Sequence, residues 1–268
     1  MKDKKRIIVI IILAVVAIIL MIGSILIKSP GSHGSIGELM KDAVLHETNK
    51  ISLLGIIDVN PGLISAYSVT AILFVVCLGI RIFIIPRFQL IPGKIQLLLE
   101  MLVGFFDGLA KENSPHRNRF LSSYIFAAGV YIFVGTIFEL FGFQAITTHN
   151  VPMSLPAPLA DINGAIMMGC LSYFVILSGG ITENKLKGVG KTLKEFSLPI
   201  SMSLRLFGAP LSGALVTEMV YHYIYLSYGL PVVVGVVFTL LHALIQAYVL
   251  TMLTALFYGE VSEPPHKE

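Results

Sequence analysis

Apolar residues fall along this chain in six long runs separated by polar connections: Ile7–Ile27, Ala66–Ile85, Phe120–Phe143, Ile162–Gly179, and about 197–226 and 231–258. A helix needs about 20 consecutive apolar residues to cross the hydrocarbon core of a bilayer. Each run is therefore read as a hydrophobic helix. The last two are longer than a perpendicular crossing needs, so they are expected to tilt strongly. Tyr228, Gly229, Leu230 and Pro231 form the turn between them.

One further segment has helical period without being apolar all round. In "PGKIQLLLEMLVGFFDGLAKEN", Ile95, Leu98, Leu99, Leu102, Phe105, Phe106 and Leu109 recur at helical spacing. Lys94, Gln96, Glu100, Asp107 and Lys111 fall largely elsewhere on the wheel. This predicts an amphipathic helix lying on the membrane surface or on a partner. Residues 28–64 mix Gly, Ser and both signs of charge, and read as a loop with one short surface helix. "THNVPMSLPAPLADIN" is a Pro-rich connection. "GGITENKLKGVGKTLKEF" breaks the hydrophobicity with four lysines. The expected fold is an all-α integral membrane protein of about six hydrophobic helices, plus the amphipathic one. The expected organisation is an N-terminal helix and outer polar loop (1–64), a membrane domain (65–260) and a polar tail (261–268).

Composition agrees with the pattern. The 268 residues are 55% hydrophobic and only 13% charged, with a mean hydropathy of +0.84. A soluble domain is usually about a quarter charged. The net charge of +3 gives no reason to expect a nucleic-acid partner. Cys77 and Cys170 sit inside apolar runs and read as small packing residues, with no disulfide framework or metal site. The basic residues orient the set. Lys2, Lys4, Lys5 and Arg6 precede the first run. Arg87, Lys94, Lys111, Arg117 and Arg119 follow the second, and Lys185, Lys187, Lys191 and Lys194 follow the fourth. A cytoplasmic N-terminus places all three groups inside, and six crossings return the C-terminus to the same side. A secretory signal is the alternative for the first run. Its length of about 20 residues and the lack of an A-x-A site favour a retained helix.

The polar residues inside the runs carry the chemistry. Arg205 lies about 12 Å into the fifth helix at 1.5 Å per residue, deeper than snorkelling easily reaches. A charge near mid-bilayer costs about 2.5–3.5 kcal/mol on insertion scales, and a guanidinium does not deprotonate to escape it. Ser201, Met202, Gly208, Ala209 and Ser212 surround it at helical spacing, and small residues let another helix approach. Glu218, thirteen positions on, lies on roughly the opposite face, so the partner carboxylate is expected on another chain. Further polar residues gather in the outer halves of four helices: Glu139; Asp161 with Asn163; Glu218 with His222; and Thr239 with His242, Gln246 lying one turn further in. Together they suit a watery path for a small cation that ends near Arg205.

At this point the residues resemble a known family. "PISMSLRLFG" with "QAYVLTMLTALFYGE" resembles subunit a of the F-type ATP synthase membrane sector, bacterial type. "PGKIQLLLEMLVGFFDG", "TIFELFGF" and "ADIN" support the resemblance, which spans roughly residues 60–260. It implies a multi-pass protein of the bacterial plasma (inner) membrane, needing no cofactor. It would be an ion-translocating subunit and not an enzyme by itself. Its partners would be a ring of c subunits, the peripheral stalk b subunits, the rest of the synthase and membrane lipid. The family's Arg maps onto Arg205 and its Gln onto Gln246. Two offset half-channels would carry H⁺ or Na⁺ to and from ring carboxylates. Arg205 would hold an arriving carboxylate in its charged form and seal one half-channel from the other.

The chain departs from the family pattern in four places. Ala209 stands where Asn is usual, followed by an unusual Pro210. Ala214 stands where Glu is frequent, and Thr239 where His is frequent. The segment between the fourth run and Arg205 is short. The resemblance therefore implies that Glu218, with His222 or His242, takes over the outer relay. The competing readings are a secondary ion transporter or channel subunit, a membrane enzyme and a scaffold. No inverted repeat supports the transporter, no H-E-x-x-H or G-x-S-x-G motif supports the enzyme, and Arg205 argues against the scaffold.

Overall fold

The computed structural model describes residues 50–53, 57–115, 118–146, 148, 152–222 and 230–263. The first apolar run lies outside them. Among the described residues six α-helices dominate: α1 (Pro61–Gly79), α2 (Lys94–Asn113), α3 (Asn118–Phe138), α4 (Ile162–Lys194), α5 (Ser197–His222) and α6 (Leu230–Ser262). Among the described residues, four stretches are long and apolar enough to cross a membrane: Pro61–Arg87, Asn118–Phe141, Ile162–Asn184 and Gly235–Ser262. The fifth run forms α5 but is not among these four; Arg205, two prolines and four serines dilute it.

Local chemistry sets the ends of the helices. Asn60 caps α1, its side chain accepting from the Gly62 N–H at 3.0 Å, and Pro61 follows at the first helical position. The helix widens into a π turn at Ile80–Ile84, where the Ile85 N–H bonds the Ile80 carbonyl. It tightens into a 3₁₀ turn at Ile85–Arg87. Pro86 accounts for this disturbance: it has no N–H, and its ring crowds the carbonyl four residues back. After α3, a 3₁₀ turn at Glu139–Phe141 stops at Gly142, whose φ of 61° favours a residue without Cβ.

The core is formed by α3, α4, α5 and α6, with the C-terminal part of α2 laid over it. Small residues make the contacts close. A Cβ on Gly129 would stand 2.7 Å from the Phe106 ring and 3.1 Å from Thr251. One on Gly169 would run into Ser203, and one on Gly179 would stand 2.6 Å from the buried Tyr258 ring. Most buried hydroxyls are satisfied inside their own helices, Ser114 being an exception among the described residues. Thr136 donates to the Ile132 carbonyl at 2.7 Å, Ser203 to Pro199 at 2.6 Å, and Thr251 and Thr254 to Ala247 and Leu250 at 2.8 Å. A membrane interior demands that economy.

Several features differ from the sequence-based expectation. The basic segment after the fourth run is part of α4, and α4 doubles back. The Tyr173 hydroxyl donates to the Thr192 carbonyl at 3.1 Å, 19 residues away; a straight helix would separate them by about 28 Å. Gly188 lies so close to Gly180 that a Cβ on either would crowd the other's carbonyl. Two antiparallel hairpins, β1 (Ile51–Leu53) with β2 (Ile57–Val59) and β3 (Gln144–Ile146) with β4 (Pro152–Ser154), replace the plain loops expected there. Cys77 is exposed rather than packed, and Cys170 is half-buried. In α2 only Phe106, Leu109 and Ala110 are buried; Ile95, Leu98, Leu102 and Phe105 remain exposed.

Gly129→Val forces two methyl groups into the Phe106 ring, and overpacking of this kind costs about 1–3 kcal/mol. The variant is expected to lose its monodisperse peak at a lower temperature in detergent. Gly108→Ala, with open space around its Cβ, is the control expected to keep it.

Candidate functional site

Arg205 and Gln246 line one crevice between α5 and α6, together with Met202, Leu206, Leu250 and Leu253. Arg205 is exposed and makes no hydrogen bond or ion pair among the described residues. Gln246 is buried, and its Oε1 has no hydrogen-bond partner among them. A buried amide oxygen without a donor costs about 1–3 kcal/mol. Of the two buried side-chain oxygens without a partner among the described residues, Ser114 Oγ and Gln246 Oε1, the second shares the crevice of the exposed guanidinium.

The helix face around Arg205 divides in two. Met202 and Leu206, at 2% and 1% exposure, are packed in the core. Ser201, Leu204, Gly208 and Ser212 are exposed, and a Cβ on Gly208 would meet nothing. Met202 is thus a packing residue, against the expectation that it shares the open face. Small and polar residues leave one side of α5 uncovered around the charge.

A second cleft lies one turn along. It is lined by Thr136 and Glu139 from the end of α3, Ala209, Pro210 and Gly213 from α5, and Phe238, Thr239 and His242 from α6. Its empty space is about 320 Å³, partly open to the surroundings. Ala209 is four residues from Arg205 and His242 four from Gln246, so along each helix the two clefts are about 6 Å apart. The pairs Arg205 with Gln246, Ala209 with His242, and Gly213 with Thr239 are in antiparallel register. Glu139 is half-buried, and the Ala157 N–H is its backbone hydrogen-bond donor. The His242 Nδ1 lies 2.9 Å from the Phe238 carbonyl, and its ring stacks on Phe238 at 5.5 Å.

The other expected site residues are placed differently. Asp161 caps α4, accepting from the Asn163 backbone N–H at 3.1 Å and from the Asn163 side chain at 3.3 Å. It also packs on the start of α1, where a Cβ on Gly62 would stand 2.7 Å from its own Cβ. Neither residue lines the cleft that contains Glu139. Glu218 and His222 fall on the last turns of α5, and their side chains lie outside the described residues. Pro210, Gly213, Phe238 and Thr136 are cleft residues that the sequence reading missed. The unusual proline after Ala209 was the one available signal. Among the described residues no group of three His, Cys, Asp or Glu is placed to hold a metal ion.

A family model described as ATP synthase A chain matches residues 64–259. The chain is similar to the ATP synthase subunit a of Cereibacter sphaeroides, 25% identical over 213 residues, which are 75% of this chain and 80% of that one. It is also similar to the ATP synthase subunit a of Sulfurihydrogenibium sp., at 25% identity over 66% of this chain and 87% of that one. For the Acidothermus cellulolyticus protein of the same name, the identity is 29% over 63% of this chain and 65% of the relative.

Asp161→Ala removes a helix cap worth about 0.5–2 kcal/mol. It is expected to lower thermal stability while leaving ion flux per assembled complex unchanged. Asp161→Asn, which keeps an accepting oxygen, should restore the stability. A flux defect in the Asn variant would instead place the Asp161 charge on the ion path.

Proposed function

The chain belongs to the ATP synthase A chain family, and from that premise we propose that it is the stator beside a rotating ring, with Arg205 as the fixed charge between two ion paths. It is a multi-pass membrane protein whose work is ion translocation within a complex of other synthase subunits, not catalysis by itself. The finer reading is as follows. The ring of c subunits passes the open face of α5 and presents a carboxylate to Arg205. The peripheral stalk b subunits hold the chain still. Both termini are cytoplasmic, in the bacterial plasma membrane.

The observation that carries this reading is the state of Arg205: exposed on a face of small residues, unpaired among the described residues, and beside a buried amide oxygen that has no donor. A permanent charge in an apolar helix requires a counter-charge. An incoming carboxylate would supply it, and would stay ionised only while beside the guanidinium. The ion it had carried would leave. The same fixed charge would repel a cation moving directly from one path to the other.

The cleft of Glu139, Thr239 and His242 supports one of the two paths, because it comes within a turn of Arg205 on both α5 and α6. Glu218 and His222 would extend it toward the C-terminal end of α5. Asp161 and Asn163 would serve that side of the molecule as a helix cap. The path on the opposite side of Arg205 would be bounded by the doubled-back α4.

The test is Arg205→Ala in the whole synthase reconstituted in liposomes. ATP synthesis under an imposed H⁺ or Na⁺ gradient should fall to background, and a passive leak of the coupling ion should appear. Intact synthesis without a leak would make Arg205 structural. Separately, Glu218→Gln should lower ion-driven synthesis without opening a leak; unchanged coupling would remove Glu218 from the path.

A further inference from the structure

We propose that residues 88–93, the loop joining α1 to α2, form with the basic residues on either side a binding site for anionic phospholipid, at the bilayer surface where α1 ends. The proposal goes beyond the stator reading and does not depend on the role of Arg205.

The membrane-spanning stretch Pro61–Arg87 ends where this loop begins, so the loop lies at the level of the lipid headgroups. Its tip is apolar and uncovered: Leu90 is 104% exposed and Ile91 86%. The first turns of α2 continue the pattern. Ile95, Leu97, Leu98, Met101 and Leu102 are exposed, and α2 joins the core only from Phe106 onward. An uncovered apolar surface of this kind marks a contact with protein or with lipid. The backbone around the tip is prepared for an apolar neighbour. The Gln96 side chain closes on Gln89 with two bonds: its Oε1 accepts from the Gln89 N–H at 3.0 Å, and its Nε2 donates to the Gln89 carbonyl at 3.0 Å. The Phe88 N–H donates to the Ile85 carbonyl at 3.2 Å, and Pro92 has no N–H to satisfy. These groups are paired before the tip meets hydrocarbon, as a bilayer requires.

Charge identifies the occupant. Arg87 stands three residues before Leu90, and Lys94 three after Ile91. Arg81 lies in the π turn, about 9 Å further back along α1, and its long stem can carry the guanidinium toward the headgroups. All three are exposed, and none has an ion pair among the described residues. No Asp or Glu occurs between Asp58 and Glu100. The carboxylate of Glu100 accepts from the Gln96 amide at 2.8 Å. An apolar tip flanked by free cations matches a phosphate above acyl chains. A zwitterionic headgroup brings its own cation to the same place and repels these three; an anionic one does not. A protein occupant would have to set carboxylates around an apolar pocket at the bilayer surface. An anionic lipid supplies both halves in one molecule.

The test is photocrosslinking from the tip of the loop. Leu90 is replaced by the photoreactive amino acid p-benzoyl-phenylalanine in the complete synthase. The complex is reconstituted in vesicles of phosphatidylcholine with about a tenth of phosphatidylglycerol, and the adducts on this chain are identified by mass. A basic residue near an anionic surface favours it about five-fold. Phosphatidylglycerol should therefore be enriched about five-fold or more over its share of the bilayer. Arg87→Gln together with Lys94→Gln should return the adducts to the bilayer's composition at the same total yield, because the apolar tip stays in lipid. Adducts at the bilayer's composition with Arg87 and Lys94 intact would overturn the proposal. So would an enrichment that survives the double substitution, since the headgroup would then be held elsewhere. Crosslinks to another synthase subunit in place of lipid would make the loop a protein-docking element, and the absence of any crosslink would put its tip in water; either result overturns the site. None of these outcomes touches the stator reading, which Arg205→Ala tests separately.

Discussion

In a bilayer no polar group can count on water, and this constraint organises the whole chain. Backbone groups close their bonds inside helices, and most buried hydroxyls close theirs on the carbonyl one turn back, as Thr136, Ser203, Thr251 and Thr254 do and Ser114 does not. Against that economy, two groups one crevice apart stand out: the exposed guanidinium of Arg205 and the buried, unpartnered Oε1 of Gln246. Each is costly alone. Their cost becomes intelligible if a third party, absent from the chain, completes them at intervals. On the proposed stator reading, a bond made and broken each time a ring subunit passes would not be satisfied permanently from within.

Packing leaves that place open. Glycines at 129, 169, 179 and 180 bring α3 to the Phe106 ring of α2 and α4 to α5 and α6 at distances that a Cβ would not permit. The core is therefore tight on one side of α5, where Met202 and Leu206 are buried, and open on the other, where Ser201, Gly208 and Ser212 are exposed. The doubled-back α4 takes part. Tyr173 meets Thr192, and the Asn184 side chain donates to the Val261 and Glu263 carbonyls at 2.8 and 2.9 Å. The Asn184 bonds tie the returning helix to the end of α6. Rigidity behind the site is what allows an uncovered charge in front of it.

Much of this was legible in the sequence. Runs of twenty apolar residues and the helical period of 94–113 carry strong signals, because length and period are repeated many times within each element. Arg205 and Gln246 were legible for the opposite reason: each is a single exception in an apolar field. Strands of three residues have no period to read, so both hairpins were missed. The return of α4 was hidden because its lysines looked like a loop; the useful sign was Gly180 and Gly188, the residues that touch. A helical wheel around Arg205 could not say which flank faces the core, and so it put Met202 on the wrong side. The cleft was half legible. Glu139, Thr239 and His242 are polar in apolar runs, whereas Pro210, Gly213 and Phe238 look like ordinary packing until the fold assembles them. Asp161 was read for its charge, and in the fold it also closes a helix end, accepting from Asn163.

The departures from the family pattern can be understood together through the second cleft. Ala209 and Thr239 are smaller than the Asn and His that the pattern would place there, and both line the cavity. Pro210 withdraws the N–H that would otherwise bond the Leu206 carbonyl, which adds an acceptor to a helix that has lost a polar side chain. His242 puts an imidazole on the same wall as Thr239, one turn closer to Gln246. Smaller side chains at two positions thus stand in the wall of a cleft, and an imidazole stands on the same wall. A path for ions is defined by the space and the acceptors it offers, not by which position in the chain supplies them. A helix pair in antiparallel register has several neighbouring positions that face the same space. On the proposed reading, a polar group on the path could move by a turn along α6 while Arg205 stays where it is, because the charge would have to meet a partner on another chain and the path need only meet water.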